Sequence, residues 1–470
     1  MRRSICHSLL AAALAFGLVA VPATRAVAPS ALDPRAFGAR ADGQTVDTAA
    51  IQAAIDAAHV AGGGTVRLAG GTFVSGTILL KDHVTLEIAE GATLLGSTDP
   101  RDYHSIDPFV DATGQTRGKC LVGALDAEKV ALTGRGTIDG RGQAFDYETL
   151  RKRAESWGIT GDAFKPLAAD RPFLIRFVRC RDVTLRGLHL RQPAAWTVHF
   201  YQTDDILVED LDIHSHAHRN NDGIDLDSSR RAVIRNCRID TGDDAICLKT
   251  TSPRACEDIA VSGCDLRSEW GAIKFGTESM GDFRRITIRD CTIRDTRGGG
   301  IKLLSVDGAH IADVAITDIT MRDVDMPIFI RLGERLRTYR DAPPQTVGSI
   351  DGVSIAHVIA TARARARSRV DPPTGIFITG TPKHPIGRVR LEDITITLPG
   401  GGTTEHAVAT VPEREADYPE FSFFGVLPAY GLYARHIHGL ETHRVRFSLT
   451  GPDTRPEIIL IDTCRNPHRP

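Results

Sequence analysis

Two short acidic motifs near the middle of the chain carry side chains suited to acid–base chemistry. The sequence reads NNDG at 220–223 and TGDDA at 241–245, so Asp222 and Asp244 are 22 positions apart and Asp243 adjoins the second. Crowded carboxylates raise one another's pKa, so one can keep a proton near neutral pH. A protonated acid beside an ionised one can donate to a leaving oxygen and activate water, which is the chemistry of glycosidic-bond cleavage. Aspartates are also common at surface turns, so the fold must bring the motifs together.

A repeat provides the elements that would position these motifs. Apolar segments recur at intervals of 22 to 28 residues, with aligned positions at Ile175, Val198, Ile224, Ile246, Ile273, Ile301 and Ile328. Between them lie segments such as DILVEDLDI and DIAVSGCDL, whose alternation of apolar and polar residues is typical of half-buried strands. One such unit cannot bury its apolar face alone, whereas stacked units can.

This periodicity predicts an all-β fold, a single-stranded right-handed parallel β-helix in which each strand pairs with its equivalent one coil later. A leucine-rich repeat has a similar period, but its LxxLxLxxN signature is absent, and propeller blades need about 40 residues. Aligned on Ile224 and Ile246, Asp222 and Asp244 take the same position on adjacent coils, about 4.8 Å apart at the backbone. The three carboxylates are therefore expected to form one patch.

Two segments outside the regular repeat are predicted to contain helices. Residues 47–64 predict a helix that begins at Asp47, ends at the glycines 62–64 and covers the edge of the first coil, with an apolar face of Ile51, Ala54, Ile55 and Ala58. Residues 140–172 interrupt the repeat and include a predicted helix, which we interpret as a long loop beside the β-helix. From about residue 341 the repeat loosens.

The first 26 residues are typical of an export signal. Arg2 and Arg3 precede the apolar run LLAAALAFGLVAV and the small residues of PATRA. The run is shorter than the ~20 residues that a membrane span needs, and no later segment is long and apolar enough. We expect cleavage after Ala26, or else after Ala28, which leaves one β-helix domain at 33–465 in a periplasmic or secreted protein.

The charge and the cysteines of the chain indicate which partners, metal sites and disulfides to expect. Without the export signal the chain has 54 basic and 59 acidic residues, a net charge near −5, which argues against nucleic acid. No CxxC motif is present, so a zinc site is not expected. Cys237, Cys264 and Cys291, at intervals of 27, are interpreted as a stack of small buried side chains rather than as bridges. Cys247 and Cys256 are the candidate disulfide.

The sequence resembles glycoside hydrolase family 28, the polygalacturonases and their relatives, over nearly the whole mature chain. The resemblance is carried by FGARADGQTVDTAAIQAAIDAA, GGTVRLAGGTFVSGTILLKDHVTLEIAEGATLLGS, NNDGIDLDSS and TGDDAICLKT, and the tail PEFSFFGVLPAYGLYARHIHGL is similar to a bacterial branch. The family pattern is Asn-Thr-Asp-Gly followed by Gly-Asp-Asp, so Asn220 matches and Asn221 replaces threonine. The resemblance implies that Asp243 is the general acid. It also implies that Asp222 and Asp244 hold the attacking water, with inversion at the anomeric carbon.

Two family motifs differ in this chain. The family's Gly-His-Gly is here SEWGAIKFG, which puts Trp270 or Gly271 in the place of the histidine, and its Arg-Ile-Lys is GIK, which keeps only Lys302 of a pair thought to grip the uronate carboxylate. Trp270 is predicted either to stack on a sugar ring or to pack under a loop. The column predicted to bind sugar is His199, Asp225, Lys274 and Lys302, with Lys274 partly replacing the lost arginine. A solvated ladder of charges is the alternative for this column.

Three histidines alternate just before the first acidic motif, at His214, His216 and His218. Successive strand positions give poor metal geometry and no carboxylate–histidine ligand set recurs nearby, so no metal is predicted. His218 is a candidate for shaping a sugar cleft, and surface or turn histidines are the alternative.

The predicted function is therefore an exported glycoside hydrolase that cleaves α-linked galacturonic-acid-containing (pectic) poly- or oligosaccharides. No cofactor and no nucleic-acid or membrane partner is expected, and the protein is expected to be a monomer. The loop at 140–172 and the extended tail would close one end of the cleft, which favours exo-action. The alternatives are a polysaccharide lyase on the same fold, an isomerase or transglycosylase, and a non-catalytic carbohydrate-binding or adhesin β-helix.

Overall fold

The computed structural model describes residues 31–463, all of which lie in one compact unit. The predicted export signal at 1–26 lies outside the described residues. Four α-helices are present in the described chain: α1 (Thr48–Val60), α2 (Tyr147–Ser156), α3 (Lys165–Ala169) and α4 (Thr404–Ala407). Short 3-10 turns occupy Pro34–Phe37, Pro100–Asp102, Gly142–Phe145, Gly161–Ala163, Arg365–Arg367 and Phe421–Phe424.

Strands make up most of the rest. In chain order they are β1 (Asp42–Val46), β2 (Gly64–Leu68), β3 (Gly71–Ser75), β4 (Ile78–Leu80), β5 (Val84–Ile88), β6 (Ala92–Gly96), β7 (Ser105–Val110), β8 (Thr116–Leu125), β9 (Glu128–Gly134), β10 (Thr137–Asp139), β11 (Phe173–Val178), β12 (Arg181–Arg186), β13 (His189–Arg191), β14 (Val198–Tyr201), β15 (Asp204–Glu209), β16 (Asp212–Ser215), β17 (Ile224–Asp227), β18 (Arg230–Arg235), β19 (Arg238–Thr241), β20 (Ile246–Thr250), β21 (Cys256–Ser262), β22 (Asp265–Ser268), β23 (Gly271–Ser279), β24 (Phe283–Arg294), β25 (Gly299–Ser305), β26 (His310–Val324), β27 (Ile328–Leu332), β28 (Ser349–Ala362), β29 (Ile376–Thr379), β30 (Ile386–Leu398), β31 (Leu432–Leu449) and β32 (Ile458–Thr463).

These strands wind into the predicted right-handed parallel β-helix, with three strand columns along its length. The column that matters for function, here called sheet one, runs β4, β8, β11, β14, β17, β20, β23, β25, β27, β29, β31 and β32. The second column begins with β2 and β5 and the third with β3 and β6, and from β24 onward one long strand serves both. The single antiparallel pair in the described chain is the hairpin β7–β8.

The interior is filled by stacked aliphatic side chains. Register along sheet one pairs Ile175 with Val198, Val198 with Ile224 and Ile224 with Ile246, as the periodicity predicted. All of these residues are buried, because the inward positions of each strand face the stack above and below. The stacking fixes each coil on its neighbour, so residues at equivalent positions on adjacent coils are held side by side.

The predicted N-terminal helix is present as α1 and covers the first coil. Its buried face is Ala50, Ile51, Ala54, Ile55 and Ala58, which matches the expected apolar stripe. Asp47 occupies the N-cap position, but its side chain does not cap the helix. Its carboxylate instead accepts hydrogen bonds from the backbone N–H groups of Arg40 and Ala41, at 2.8 and 3.0 Å, and so ties the preceding turn to the helix start.

Three excursions from the coils cover part of sheet one. They are the hairpin β7–β8, the segment 333–348 and the segment 399–431 between β30 and β31. The coils themselves continue to β32, so the loosening expected from residue 341 reflects these insertions and not an end of the β-helix. The interruption at 140–172 contains α2 and α3, in agreement with the predicted helical loop.

The seven cysteines of residues 31–463 are free thiols. The predicted bridge between Cys247 and Cys256 is therefore wrong. Cys247 lies on sheet one and donates to Gly276 O at 2.9 Å, whereas Cys256 begins a strand of the second column, so their side chains serve different faces of the coil. None of the helices in residues 31–463 has the length and apolar character of a bilayer span.

Candidate active site

The two acidic motifs come together at the start of two adjacent strands of sheet one. Asp222 precedes β17 and Asp244 precedes β20, and Gly223 N–H donates to Asp244 O at 2.8 Å across the coils. One carboxylate oxygen from each of Asp222, Asp243 and Asp244 lies within 4.8 Å of the other two. The coil spacing thus forms the predicted patch.

Hydrogen bonds beneath the patch fix its backbone. Asn221, at the position of the family's threonine, is fully buried and its side-chain N–H group donates to Pro193 O and Ala195 O at 3.0 and 2.9 Å. The hydroxyls of Thr241 and Ser268 donate to Asp243 O at 2.6 and 2.7 Å. Both turns are therefore anchored to neighbouring coils, which holds the carboxylates in place.

Each carboxylate has a different set of donors. Asp244 accepts from Gly271 N–H at 3.1 Å and from Lys274 Nζ at 2.6 Å. Asp222 Oδ2 accepts from Lys249 Nζ at 3.2 Å, while Asp222 Oδ1 receives no hydrogen bond from the described residues. Asp243 Oδ1 accepts from the backbone N–H of Asp244 at 2.9 Å.

These environments push the three pKa values apart. Burial, together with the negative charges of Asp222 and Asp244, raises the pKa of Asp243 well above its ordinary value. Burial also acts on Asp244, but Lys274, Lys302 and Lys249 outweigh it and lower the pKa of Asp244. The pKa of Asp222 is raised by burial, against the opposing charge of Lys249. These shifts favour a proton on Asp243 and the ionised form of Asp244, the combination of an acid beside an ionised carboxylate.

The patch lines a cavity of about 200 Å³. Its wall comes from sheet one and from two of the excursions, and consists of Asp111, Ala112, Thr113, Trp196, Asn220, Asp222, Asp243, Asp244, Lys249, Trp270, Lys274, Thr277, Glu278 and Tyr418. Tyr418, from the segment 399–431, accepts from the hydroxyl of Thr277 at 2.9 Å. Ala112, at the tip of the hairpin, donates its N–H to Glu278 at 3.0 Å. Both excursions thus close over the carboxylates.

Both lysines that line this cavity in the described chain are paired with carboxylates. Lys274 holds Asp244, as above, and Lys249 lies 3.2 Å from Asp222 and 3.3 Å from Asp225. The ammonium of Lys249 also lies over the Trp196 ring, 4.0 Å from its centroid. The lysines therefore set the charge state of the acidic groups and are not free cations.

The residues of the predicted sugar-binding column are aligned on successive coils, but most of them do not line the cavity. His199 pairs with Asp225, and Lys274 pairs with Lys302 on later coils. His199, Asp225 and Lys302 are at most 1% exposed and do not line the cavity, so neither a sugar contact nor a solvated ladder describes them. The excursions are the reason, because aromatic side chains cover His199 and Glu420 takes up Lys302.

Specific contacts account for that burial. The His199 ring packs against Phe109 of the hairpin and Trp196, with centroids 5.8 and 5.2 Å away. Burial lowers the pKa of His199 to about 4, although Asp227 opposes the shift. Lys302 Nζ donates to Glu420 at 2.9 Å, and both side chains are buried. The one lysine left from the family's Arg-Ile-Lys is thus already paired within the protein.

Trp270, Gly271 and Asn220 do reach the site. Trp270 lines the cavity, and one face of its ring carries the guanidinium of Arg369, 4.0 Å from the centroid. Gly271 takes the position of Asp244 one coil later, and a Cβ there would lie 2.9 Å from Asp244 Oδ1. Asn220 lines the cavity wall and accepts from Gln115 at 3.1 Å.

The alternating histidines separate into two environments. His214 lies on β16 and His216 directly follows that strand. Asp240 is on the next coil, 2.6 Å from His216 Nε2. The premise that no carboxylate–histidine set recurs nearby is therefore wrong, since His214, His216 and Asp240 each place a ligand atom within 4.8 Å of the others. Arg267 donates to the same carboxylate at 2.7 Å, so Asp240 already has a cationic partner. His218 points into a second cavity, described below.

Sequence reasoning missed several residues of the wall. Lys249 carried a signal, since a lysine within the apolar strand AICLK has to be paired if it is buried. Trp196, one of three tryptophans, precedes a recognised strand. Nothing in the sequence pointed to Tyr418 or Asp111, because both belong to excursions that are remote in sequence from the acidic motifs.

Comparison with known proteins identifies the family of the chain. Residues 65–416 match the family described as Glycosyl hydrolases family 28. The chain is 25% identical over 402 residues to a probable polygalacturonase of Vitis vinifera, covering 79% of this chain and 78% of that protein. It is 28% identical over 296 residues to an endo-polygalacturonase of Pectobacterium carotovorum subsp. carotovorum, covering 60% and 71%.

A solved structure gives the same fold. The family 28 exopolygalacturonase of Yersinia enterocolitica superposes with a TM-score of 0.68 at 19% identity, covering 93% of this chain and 78% of that one. The family match spans well over half of the chain and includes both acidic motifs. The chain belongs to glycosyl hydrolases family 28 and is a glycoside hydrolase of the polygalacturonase type.

Proposed function

We propose that the protein is an exported, inverting hydrolase that removes galacturonic-acid units from the ends of pectic poly- or oligosaccharides. The observation that carries the proposal is the cluster of Asp222, Asp243 and Asp244 in one cavity, with the pKa of Asp243 raised and that of Asp244 lowered. A protonated acid within reach of an ionised base is what hydrolysis of a glycosidic bond requires.

Asp243 is the general acid in this scheme. Its Oδ1 accepts the Asp244 N–H, which leaves the proton on the other oxygen available for the glycosidic oxygen. The raised pKa keeps that proton in place at the pH of the reaction. Protonation converts the leaving sugar into an alcohol as the bond to the anomeric carbon breaks.

Asp222 and Asp244 hold the attacking water. Asp244 is ionised and fixed by Lys274, and Asp222 keeps one oxygen that no described residue uses. Together they can accept both protons of a water and take one as it attacks. The carboxylates are closer than the about 6.5–9.5 Å common for inverting enzymes, so the water must lie beside the cluster and not between acid and base.

The shape of the cavity supports action at chain ends. Its volume of about 200 Å³ is below the ~300–1,000 Å³ of pockets for drug-sized ligands, which suits about one sugar ring. Hairpin β7–β8 and the segment 399–431 cover this cavity, whereas the 140–172 loop, expected to close one end of the cleft, contributes no residue to its lining. Export is supported by the N-terminal segment alone, whose sequence has the pattern of a signal peptide.

A product assay tests the proposal. Mature protein is incubated with polygalacturonan, oligogalacturonides and rhamnogalacturonan beside the variant Asp243→Asn, and products are resolved by chromatography while the anomer is followed by proton NMR. We expect monomeric galacturonate, formed by the wild type only and first seen as the inverted anomer. Oligomeric early products would refute exo-action, and a retained anomer would refute inversion. An unsaturated product that absorbs in the ultraviolet would indicate a lyase.

A further inference from the structure

A second cavity, of about 360 Å³, adjoins the first and is built largely from the 140–172 interruption. It is lined by Gly114, Gln115, Thr116, Phe145, Tyr147, Ala168, Ala169, Arg171, His218 and Arg219. Phe145 is buried at its base, while Tyr147 is 56% exposed and Arg219 is exposed at its rim. An apolar base and an exposed aromatic ring are features of sugar-binding surfaces.

The two cavities differ sharply in charge. The first is lined by five carboxylates and two paired lysines, whereas no carboxylate lines the second among residues 31–463. Its cations are Arg171 and Arg219. Arg171 is buried and its guanidinium donates to Gln115, Asn220 and the backbone, while the Arg219 side chain has no hydrogen-bond or ion-pair partner in the described chain. A free guanidinium thus faces a cavity of net positive charge.

His218 contributes an uncharged ring to the wall of the second cavity. Its Nδ1 accepts from Arg171 at 2.8 Å and from the Arg219 N–H at 2.8 Å, so the ring proton is assigned to Nε2, which donates to Phe145 O at 3.2 Å. Burial and the charge of Arg171 lower the pKa of His218 to about 4. The ring is therefore neutral near neutral pH, and it holds the Arg171 guanidinium and the backbone of Arg219 in position.

A single layer of side chains separates the cavities. Asn220, in the wall of the first, accepts from Gln115 and Arg171 of the second at 3.1 and 3.0 Å. Thr113 of the first accepts from Gln115 at 3.0 Å. A chain of linked sugars that places one ring against the carboxylates would pass over this layer into the second cavity.

Resting on the proposed function, we propose that the second cavity binds a neighbouring sugar of the substrate through its carboxylate. Arg219 would hold that acidic group, the charge of the buried Arg171 beside it would favour binding, and Tyr147 would contact the ring. The requirement for a uronate would then lie at this neighbouring position, because the lysines at the cleaved position are already neutralised by Asp244, Asp222 and Asp225. The substrate class is an oligosaccharide with a uronic acid beside the cleaved unit.

Binding to an inactive enzyme tests this inference. The full mature chain carrying Asp243→Asn is titrated calorimetrically with trigalacturonate and with the same trisaccharide after reduction of its carboxyl groups. In that background, Arg219→Gln is expected to weaken binding of the acidic trisaccharide by up to about fivefold, and Arg219→Glu by more. Neither should change binding of the reduced trisaccharide. The matched control is Arg135→Glu, at an exposed arginine in the turn between β9 and β10.

The outcomes separate the two proposals when wild-type hydrolysis of trigalacturonate is measured in parallel. If the wild type hydrolyses trigalacturonate but Arg219→Glu and Arg135→Glu bind it with equal affinity, the second-cavity site is overturned and the proposed hydrolase function stands. Charge-dependent binding that is lost in Arg219→Glu, without any hydrolysis, supports the site and overturns the reaction. If the acidic and reduced trisaccharides bind equally, or neither binds, the inference is wrong.

Discussion

Replacing Lys274 by glutamine should move the whole pH–activity profile to higher pH. Lys274 Nζ lies 2.6 Å from Asp244 Oδ2, and both side chains are buried. Asp244 works in its ionised form, so activity is present above its pKa and lost as the pH falls through it. Removing the cation raises this pKa, and since Lys274 also lowers the pKa of Asp243, the alkaline limb moves in the same direction.

The size of the displacement follows from the contacts that remain. An opposite charge at this distance shifts a carboxyl pKa by about 1–3 units, and Lys249 and Lys302 stay near Asp244. We therefore expect the acid limb to move by about one to two units, which lowers kcat/KM on that limb about ten- to hundredfold. The assay is kcat/KM across pH with a soluble oligogalacturonide.

Loss of stability must be separated from loss of charge. Breaking a buried ion pair costs about 3–5 kcal/mol, so Lys274→Gln should also melt at a lower temperature. Arg455→Gln is the control, because it breaks a buried pair with Asp453, 2.8 Å apart, on the later coils. It should lower the melting temperature and leave both limbs in place. If the limbs of Lys274→Gln coincide with those of the control, Asp244 is not the base, or Lys274 does not set its ionisation.

Other contacts of the site give further predictions. Gly271→Ala places a Cβ 2.9 Å from Asp244 Oδ1 and should lower kcat about ten- to hundredfold, because it displaces the carboxylate. Gly242→Ala, whose Cβ would have its nearest contact at 3.4 Å, should keep most of kcat. Equal kcat values for the two variants would refute the steric argument. Tyr418→Phe removes the hydroxyl that Thr277 bonds and should lower the free energy of unfolding by about 0.5–1.5 kcal/mol in urea titrations, and no change would mean that the bond does not stabilise the wall. Dialysis against EDTA should leave the hydrolysis rate unchanged, because the scheme uses carboxylates alone, and a rate restored by added metal would contradict it.

The β-helix was predictable because its stacking leaves a period in the chain. Ile224 and Ile246 had to align once inward strand positions recur, and their alignment placed Asp222 beside Asp244 without further information. The same logic found α1, whose apolar residues repeat at helical spacing. These features depend on local alternation and on neighbouring coils, which the sequence displays directly.

What the sequence did not display is which outward positions are covered. Lys302 and His199 point away from the interior and so read as solvent-facing or substrate-facing residues. Their burial depends on Glu420, which is 118 residues from Lys302, and on the hairpin at Phe109. No period relates an excursion to the coil it covers, so the cavity wall could not be inferred. Asp240 beside His216 differs, because β16 and β19 pair in the regular third column, where the coil period does relate the two strands.

Because Tyr418 lines the cavity, one side of its wall comes from a segment late in the chain. Coils contact mainly their neighbours, so they can be added successively as the chain emerges. Part of the cavity wall lies much later in the chain, since Thr277 bonds to Tyr418, which is 141 residues further on. A chain that ends before residue 399 would therefore hold Asp222, Asp243 and Asp244 on stacked coils but would lack one side of the cavity wall. The cavity is thus complete only when residues near the end of the described chain are in place.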